Sequence, residues 1–260
     1  MGGPSNSGSE NLLALFLKSI PFGLANTLPG VSGGTIAVVL HIYEILLHAI
    51  KNIKFKKLIV IGSGAVVGVY IGSTVITDIY ASNPLLLNYF LFGLVLSSAH
   101  STYQKVGKIN FWKLLFLLVA FGGALFFSLE IQINTEMSGL LLYFIAGFFG
   151  SVAMILPGIS GGTILVLMGV YHPLLAAINS FDLLFLFIFG LGVILGLLVF
   201  ANVFSYLLKN YEKIIMIVLT GLILGSSAAV FPSMFIMNGI FPFILGVVII
   251  IILEFVGKNT

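Results

Sequence analysis

Hydrophobic positions along this chain neither alternate in twos nor trace a single amphipathic stripe; they form long apolar runs separated by short polar breaks. The runs fall at about 11–28, 31–50, 58–77, 84–99 and 111–129, then at about 139–156, 159–179, 183–208, 214–230 and 240–256. Several approach the roughly 20 residues that a helix needs to cross the hydrocarbon layer, and the alternating ten-residue pattern of a membrane barrel is missing. The pattern predicts an all-α integral membrane protein with five apolar segments in each half.

The two halves repeat one another. Leu28-Pro29-Gly30-Val31-Ser32-Gly33-Gly34-Thr35-Ile36 returns 128 positions later as Leu156-Pro157-Gly158-Ile159-Ser160-Gly161-Gly162-Thr163-Ile164. At the same offset Tyr43 meets Tyr171, Gly62 meets Gly190, and Gly64 and Gly68 meet Gly192 and Gly196. A match of this extent marks a duplicated architecture. The first repeat is placed at 11–135 and the second at 136–260, after a flexible Gly/Ser-rich linker at 1–10. In each repeat the Pro-Gly-x-Ser-Gly-Gly-Thr turn joins the first two apolar segments without a single charge. Such a turn suits the tip of a re-entrant helical hairpin inside the protein at membrane depth, followed by three transmembrane helices.

Composition agrees: 60% of residues are hydrophobic and 7% charged, where soluble domains carry about a quarter charged residues. With no cysteine, disulfides and thiolate metal centres are excluded. No pattern calls for a cofactor or metal, and no nucleic-acid partner is expected. All basic side chains other than histidine are lysines: Lys18, Lys51, Lys54, Lys56, Lys57, Lys105, Lys108, Lys113, Lys209, Lys213 and Lys258. If 51–57 is cytoplasmic and each later segment crosses once, with the second hairpin returning to its own side, every lysine lies on one face, and Asp78, Glu130, Glu136 and Asp182 on the other. The halves are then inserted with opposite orientation, as two inverted-topology repeats, and both termini are cytoplasmic.

The turns carry the candidate chemistry. Proline interrupts helical hydrogen bonding, the glycines leave successive N–H groups unshielded, and a helix follows at once. A glycine nest ahead of a helix favours anions, and Ser32, Thr35, Ser160 and Thr163 add hydroxyl donors. Inverted symmetry brings the two tips together near the bilayer centre, where alternating-access carriers hold their substrates. The chain has no arginine to clamp a phosphate bidentately, which suits a carrier that must release its cargo. Gly64, Gly68, Gly72, Gly192 and Gly196 are assigned to helix packing.

His41, Glu44 and His48 are expected on one face of the helix after the first motif. If that helix starts near the bilayer centre, Glu44 lies about 15 Å along it at roughly 1.5 Å per residue, at the cytoplasmic interface beside Lys51. That placement is preferred over a metal site. With His172, the counterpart of Glu44, these residues are the candidates for coupling to H⁺ or Na⁺.

At these residues the chain resembles the polyprenyl-phosphate translocase family of bacteria and archaea, the PopT type, over essentially 11–258. The resemblance implies a carrier, not an enzyme, in the bacterial plasma membrane. Its partner is undecaprenyl phosphate, returned from the outer to the inner leaflet; the oligomeric state is left open. The implied substrate contacts are Pro29, Gly30, Ser32, Gly33, Gly34 and Thr35 with Pro157, Gly158, Ser160, Gly161, Gly162 and Thr163. Asn26 is counted with the substrate-binding residues; it precedes the first copy where the apolar Met154 precedes the second, so the two halves of the site are not equivalent. Two other readings compete. One is a small-ion or small-anion transporter coordinating its ion through turn carbonyls and hydroxyls. The other is an undecaprenyl-pyrophosphate phosphatase, which needs a cation in the motif where this chain has Gly33 and Gly161.

Overall fold

The computed structural model describes residues 12–27, 32–128 and 139–259. Leu28 to Val31, and with them Pro29 and Gly30, lie outside the described residues, as do the linker at 1–10, Glu130 and Glu136. The described residues form helices joined by turns and short irregular connections, with no strand among them. In order they form α1 (Leu12–Ala25), α2 (Gly33–Val39), α3 (Tyr43–Lys51), α4 (Phe55–Ser82), α5 (Pro84–Tyr103), α6 (Phe111–Ser128), α7 (Leu140–Ile155), α8 (Gly161–Leu167), α9 (Tyr171–Ser180), α10 (Leu183–Ser226) and α11 (Ile240–Asn259), with short 3₁₀ turns at Ser227–Val230 and Met237–Gly239. Among the described residues four helical stretches are long and apolar enough to cross a membrane, or up to six if each of two bent helix pairs counts as one span. The chain is a multi-pass membrane protein, and its outward faces carry exposed side chains such as Ile59, Val66, Val119, Phe241 and Ile251.

The duplication extends to the elements. α2 and α8 begin and end 128 positions apart, and α4 and α5 correspond to the single run α10. The expected segments at 183–208 and 214–230 are thus continuous except at Tyr211, whose φ of −134° and ψ of 34° break the helix. Its counterpart is Asn83, at φ −146° and ψ 65° before Pro84. An unbroken run of this length would measure about 66 Å, twice the hydrocarbon thickness, so a break near its middle is required. Lys209, Glu212 and Lys213 flank that break, which suits a place in water.

The helix expected to run on from each motif does not. α2 and α3 are bent by 113°, and α8 and α9 by 108°. Each bend is a Schellman stop: Ile42 N–H donates to Ala37 O (3.0 Å) and His41 N–H to Val38 O (3.1 Å), mirrored by Val170 to Leu165 (2.9 Å) and Gly169 to Val166 (2.9 Å). His41 at φ 57° and Gly169 at φ 68° occupy the left-handed position. His41, Glu44 and His48 therefore do not share a face of one helix, and Glu44 does not lie on a continuous axis from the motif.

Glycines set the helix contacts. A Cβ on Gly64 or Gly68 would strike the carbonyls of Phe16 or Ile20 in α1, and one on Gly192 or Gly196 those of Phe144 or Phe148 in α7. The later helices exchange between repeats: α5 packs on α11 through Gly93 against Phe243, and α10 on α6 through Gly221 against Leu117. Gly221→Ala is expected to destabilise by about 1–3 kcal/mol despite better helix propensity. Gly190→Ala, whose Cβ would meet nothing within 4 Å, is expected to be neutral or stabilising. Thermal unfolding in detergent distinguishes the two. Buried hydroxyls bond within the protein, Ser98 to Leu94 O (2.7 Å), Ser226 to Ile223 O (2.8 Å) and Thr102 with Thr220 (2.8 Å), as a lipid surround demands.

Candidate functional site

The two motif turns touch. Ser32 begins α2 in extended conformation (φ −92°, ψ 132°), yet its hydroxyl does not cap its own helix. It donates instead to Leu156 O of the second turn at 3.1 Å. In return Gly158 N–H donates to Thr35 Oγ1 at 3.2 Å. Between these two bonds Gly34 lies directly against Ile155 O and Pro157 N, leaving no room for a side chain. Gly33 is closed off by the Asn26 amide, whose Nδ2 donates to Phe22 O at 2.9 Å. Asn26 thus packs over the first motif. Leu156-Pro157-Gly158-Ile159 forms a type II turn, with Gly158 at φ 83°, Ile159 N–H reaching Leu156 O at 3.4 Å, and the Gly158 backbone on Leu222 and Ile223 of α10.

The copies are inequivalent in exposure. Ser32 is 6% and Thr35 2% exposed, and all of α2 is buried. In the second copy Gly161 abuts Gly150 O, but a Cβ on Gly162 would find only Ser160 Oγ, at 3.7 Å. Ser160 also leaves its helix uncapped. Ser160, Gly162 and Thr163, with Val166, Leu167 and Tyr171, line an open cavity of about 320 Å³. One motif therefore serves as a wedge and the other faces free space. Each motif helix has only two turns, so its dipole is small and the polar chemistry of the cavity comes mainly from hydroxyls. A phosphate oxygen fits such donors, and the apolar wall of Val166, Leu167 and Tyr171 fits a hydrocarbon chain.

The remaining candidates divide into two groups. His41 and Glu44 line one cavity of about 240 Å³ with Lys105, and Glu44 and His48 line a second of about 490 Å³ with Ser205, Lys209 and Glu212. His48 Nδ1 is 3.1 Å from the Asn52 amide nitrogen. His172 lies apart on α9, its ring edge-on to Tyr171 at 5.6 Å. No group of three metal-ligating side chains occurs among the described residues. Sequence reasoning missed Tyr171, Lys105, Lys209 and the Leu156 carbonyl as parts of these sites; only the Tyr43/Tyr171 match at the repeat offset pointed toward one of them.

A family model described as undecaprenyl phosphate translocase-like matches residues 22–242. The chain belongs to this family. A polyprenyl-phosphate transporter of Vibrio cholerae is 32% identical over 244 residues, covering 85% of this chain and 78% of that protein. A polyprenyl-phosphate transporter of Staphylococcus aureus is 28% identical over 242 residues, covering 84% and 86%. No solved structure matches the chain significantly. The expected resemblance is thereby established at the level of the family.

Proposed function

We propose that this protein carries polyprenyl phosphate across the bilayer, taking undecaprenyl phosphate from the outer to the inner leaflet of the bacterial plasma membrane. The transport role rests on the named activity of the two relatives. The placement of the head rests on one observation: Ser160, Gly162 and Thr163 line an open cavity while the first motif is locked behind them. A phosphomonoester head carries about −1.5 to −2 charges near neutral pH. The Ser160 and Thr163 hydroxyls hold it without the grip of arginine. The tail stays in lipid, so only the head needs a polar path.

Inverted repeats and cytoplasmic termini complete the reading. The reciprocal packing of α5 on α11 and α10 on α6 is what a pseudo-two-fold axis gives, and the one-sided lysines agree with opposite insertion of the halves. Parting and rejoining of the two turns gives alternating access, with Glu44, His41, His48 and His172 as the groups available for H⁺ or Na⁺ coupling. A chain without arginine is poorly equipped to stabilise a transferring phosphoryl group, so hydrolysis is disfavoured. The test compares uptake of a short-chain polyprenyl phosphate with release of inorganic phosphate from the pyrophosphate in the same proteoliposomes. Movement without release is expected; stoichiometric release without movement makes the protein a phosphatase.

A further inference from the structure

At the far end of α2 from its motif, three independent features converge on one cavity. The first is His41, held left-handed where the second repeat has Gly169, a conformation costly to any residue with a Cβ. His41 lines that cavity. The second is Tyr43, only 4% exposed, its ring edge-on to Phe204 at 5.8 Å and its buried hydroxyl without a hydrogen-bond partner. A hydroxyl stripped of water and left unpaired is a donor awaiting an acceptor. The third is Lys105, just past the end of α5, which lines the cavity of about 240 Å³ together with His41, Tyr43 and Glu44. A larger cavity, sharing Glu44 and Leu208, continues from it to His48, Lys209 and Glu212.

The repeat gives this cavity a counterpart. Val38 and Tyr43 stand at the positions of Val166 and Tyr171, which line the cavity of the second motif. Each repeat therefore opens a cavity with polar groups in its wall against its own bent helix pair, one at Ser160 and Thr163, the other at Tyr43 and Lys105.

We propose that the cavity formed by His41, Tyr43, Glu44 and Lys105 is a second binding site for a phosphomonoester head, the lysine-side station at which the head is received after it leaves Ser160 and Thr163. The proposal rests on the transport reading and adds a site to it. The Tyr43 hydroxyl and the Lys105 ammonium donate to phosphate oxygens, and a ring N–H of His41 supplies a third donor. Glu44 faces the same space and repels the head. That repulsion keeps the station weak, as a release site must be. The nearby Lys209 offsets the repulsion from Glu212 and His48 adds a titratable ring, so the pocket as a whole carries mixed charge.

Calorimetric titration of the whole protein in nanodiscs, with geranyl phosphate and inorganic phosphate as separate probes, tests this. Wild type is expected to bind geranyl phosphate in two components. Lys105→Met and Tyr43→Phe each weaken the same component by about tenfold or more, since a donor to a charged group is lost. Glu44→Gln tightens that component severalfold. Ser160→Ala weakens only the other. Tyr43→Phe keeps the ring contact with Phe204, so it remains informative if Lys105→Met misfolds. A single component, sensitive to Ser160→Ala and indifferent to Lys105→Met and Tyr43→Phe, overturns the second station and leaves the transport reading standing. Failure of wild type to bind geranyl phosphate at all removes both. Binding of inorganic phosphate alone, with the same dependence on Lys105 and Tyr43, makes the cavity a free-phosphate site and overturns its assignment to the lipid head.

Discussion

Gly34→Ala is expected to abolish transport and to lower the thermal midpoint by roughly 6–12 °C, at about 3 kcal/mol and 2–4 °C per kcal/mol for a chain of this size. The added Cβ falls on the carbonyl oxygen of Ile155 and within 3.1 Å of Pro157 N. Both are backbone atoms and cannot rotate aside. The turns must separate, breaking the bonds from Ser32 to Leu156 O and from Gly158 to Thr35. Gly162→Ala, at the same motif position one repeat later, meets only Ser160 Oγ at 3.7 Å and is expected to leave the midpoint within about 2 °C. Because the two glycines are equivalent in sequence, only their packing explains a difference. Thermal unfolding in detergent, run beside transport, reads it directly; equal effects would mean that the turns do not meet as described.

The second large effect separates the hydroxyls. Ser160→Ala with Thr163→Ala is expected to cut transport by about a hundredfold or more while leaving the fold intact. Two hydrogen bonds to an ionised phosphate are lost, at about 1.5–3 kcal/mol each, and neither hydroxyl caps its helix. Ser32→Ala should show the reverse emphasis. It removes the bond to Leu156 O and costs stability of about 1 kcal/mol, with transport reduced only as far as the wedge loosens. Transport initial rates and thermal midpoints, measured on the same preparations, test the pairing. A double variant with wild-type transport would remove the head from the second motif.

The membrane class, the helical content and the duplication were legible because they depend on composition and on a repeat that survives at a fixed offset. Packing glycines were legible too, since Gly64 and Gly68 recur as Gly192 and Gly196, and a membrane helix needs small residues where backbones approach. The bends after α2 and α8 were not. Gly169 carries the signal for a left-handed helix stop, but its counterpart is His41, which hides the stop in the first repeat. The break in α10 at Tyr211 was visible only as a polar interval between apolar runs, which predicted a gap where the chain makes a single-residue kink. Within the site, the motif identified the turns but not their division of labour. Identical residues become a wedge or a cavity wall according to what packs behind them: Asn26 over Gly33 in one repeat, open space beside Gly162 in the other. Lys105 and Lys209 join Glu44 through tertiary packing alone, at sequence separations no local pattern reveals.

The most direct test of a polyprenyl-phosphate carrier with its head site at the second turn is the leaflet-to-leaflet movement of a short-chain fluorescent polyprenyl phosphate in proteoliposomes. Wild type is compared with Gly162→Leu, which fills the cavity without touching the inter-turn contacts. The expected result is rapid movement in wild type and near-background movement in a variant with an unchanged thermal midpoint. No movement in wild type, across several pH values and ion gradients, would contradict the carrier function; movement undiminished in Gly162→Leu would contradict the site.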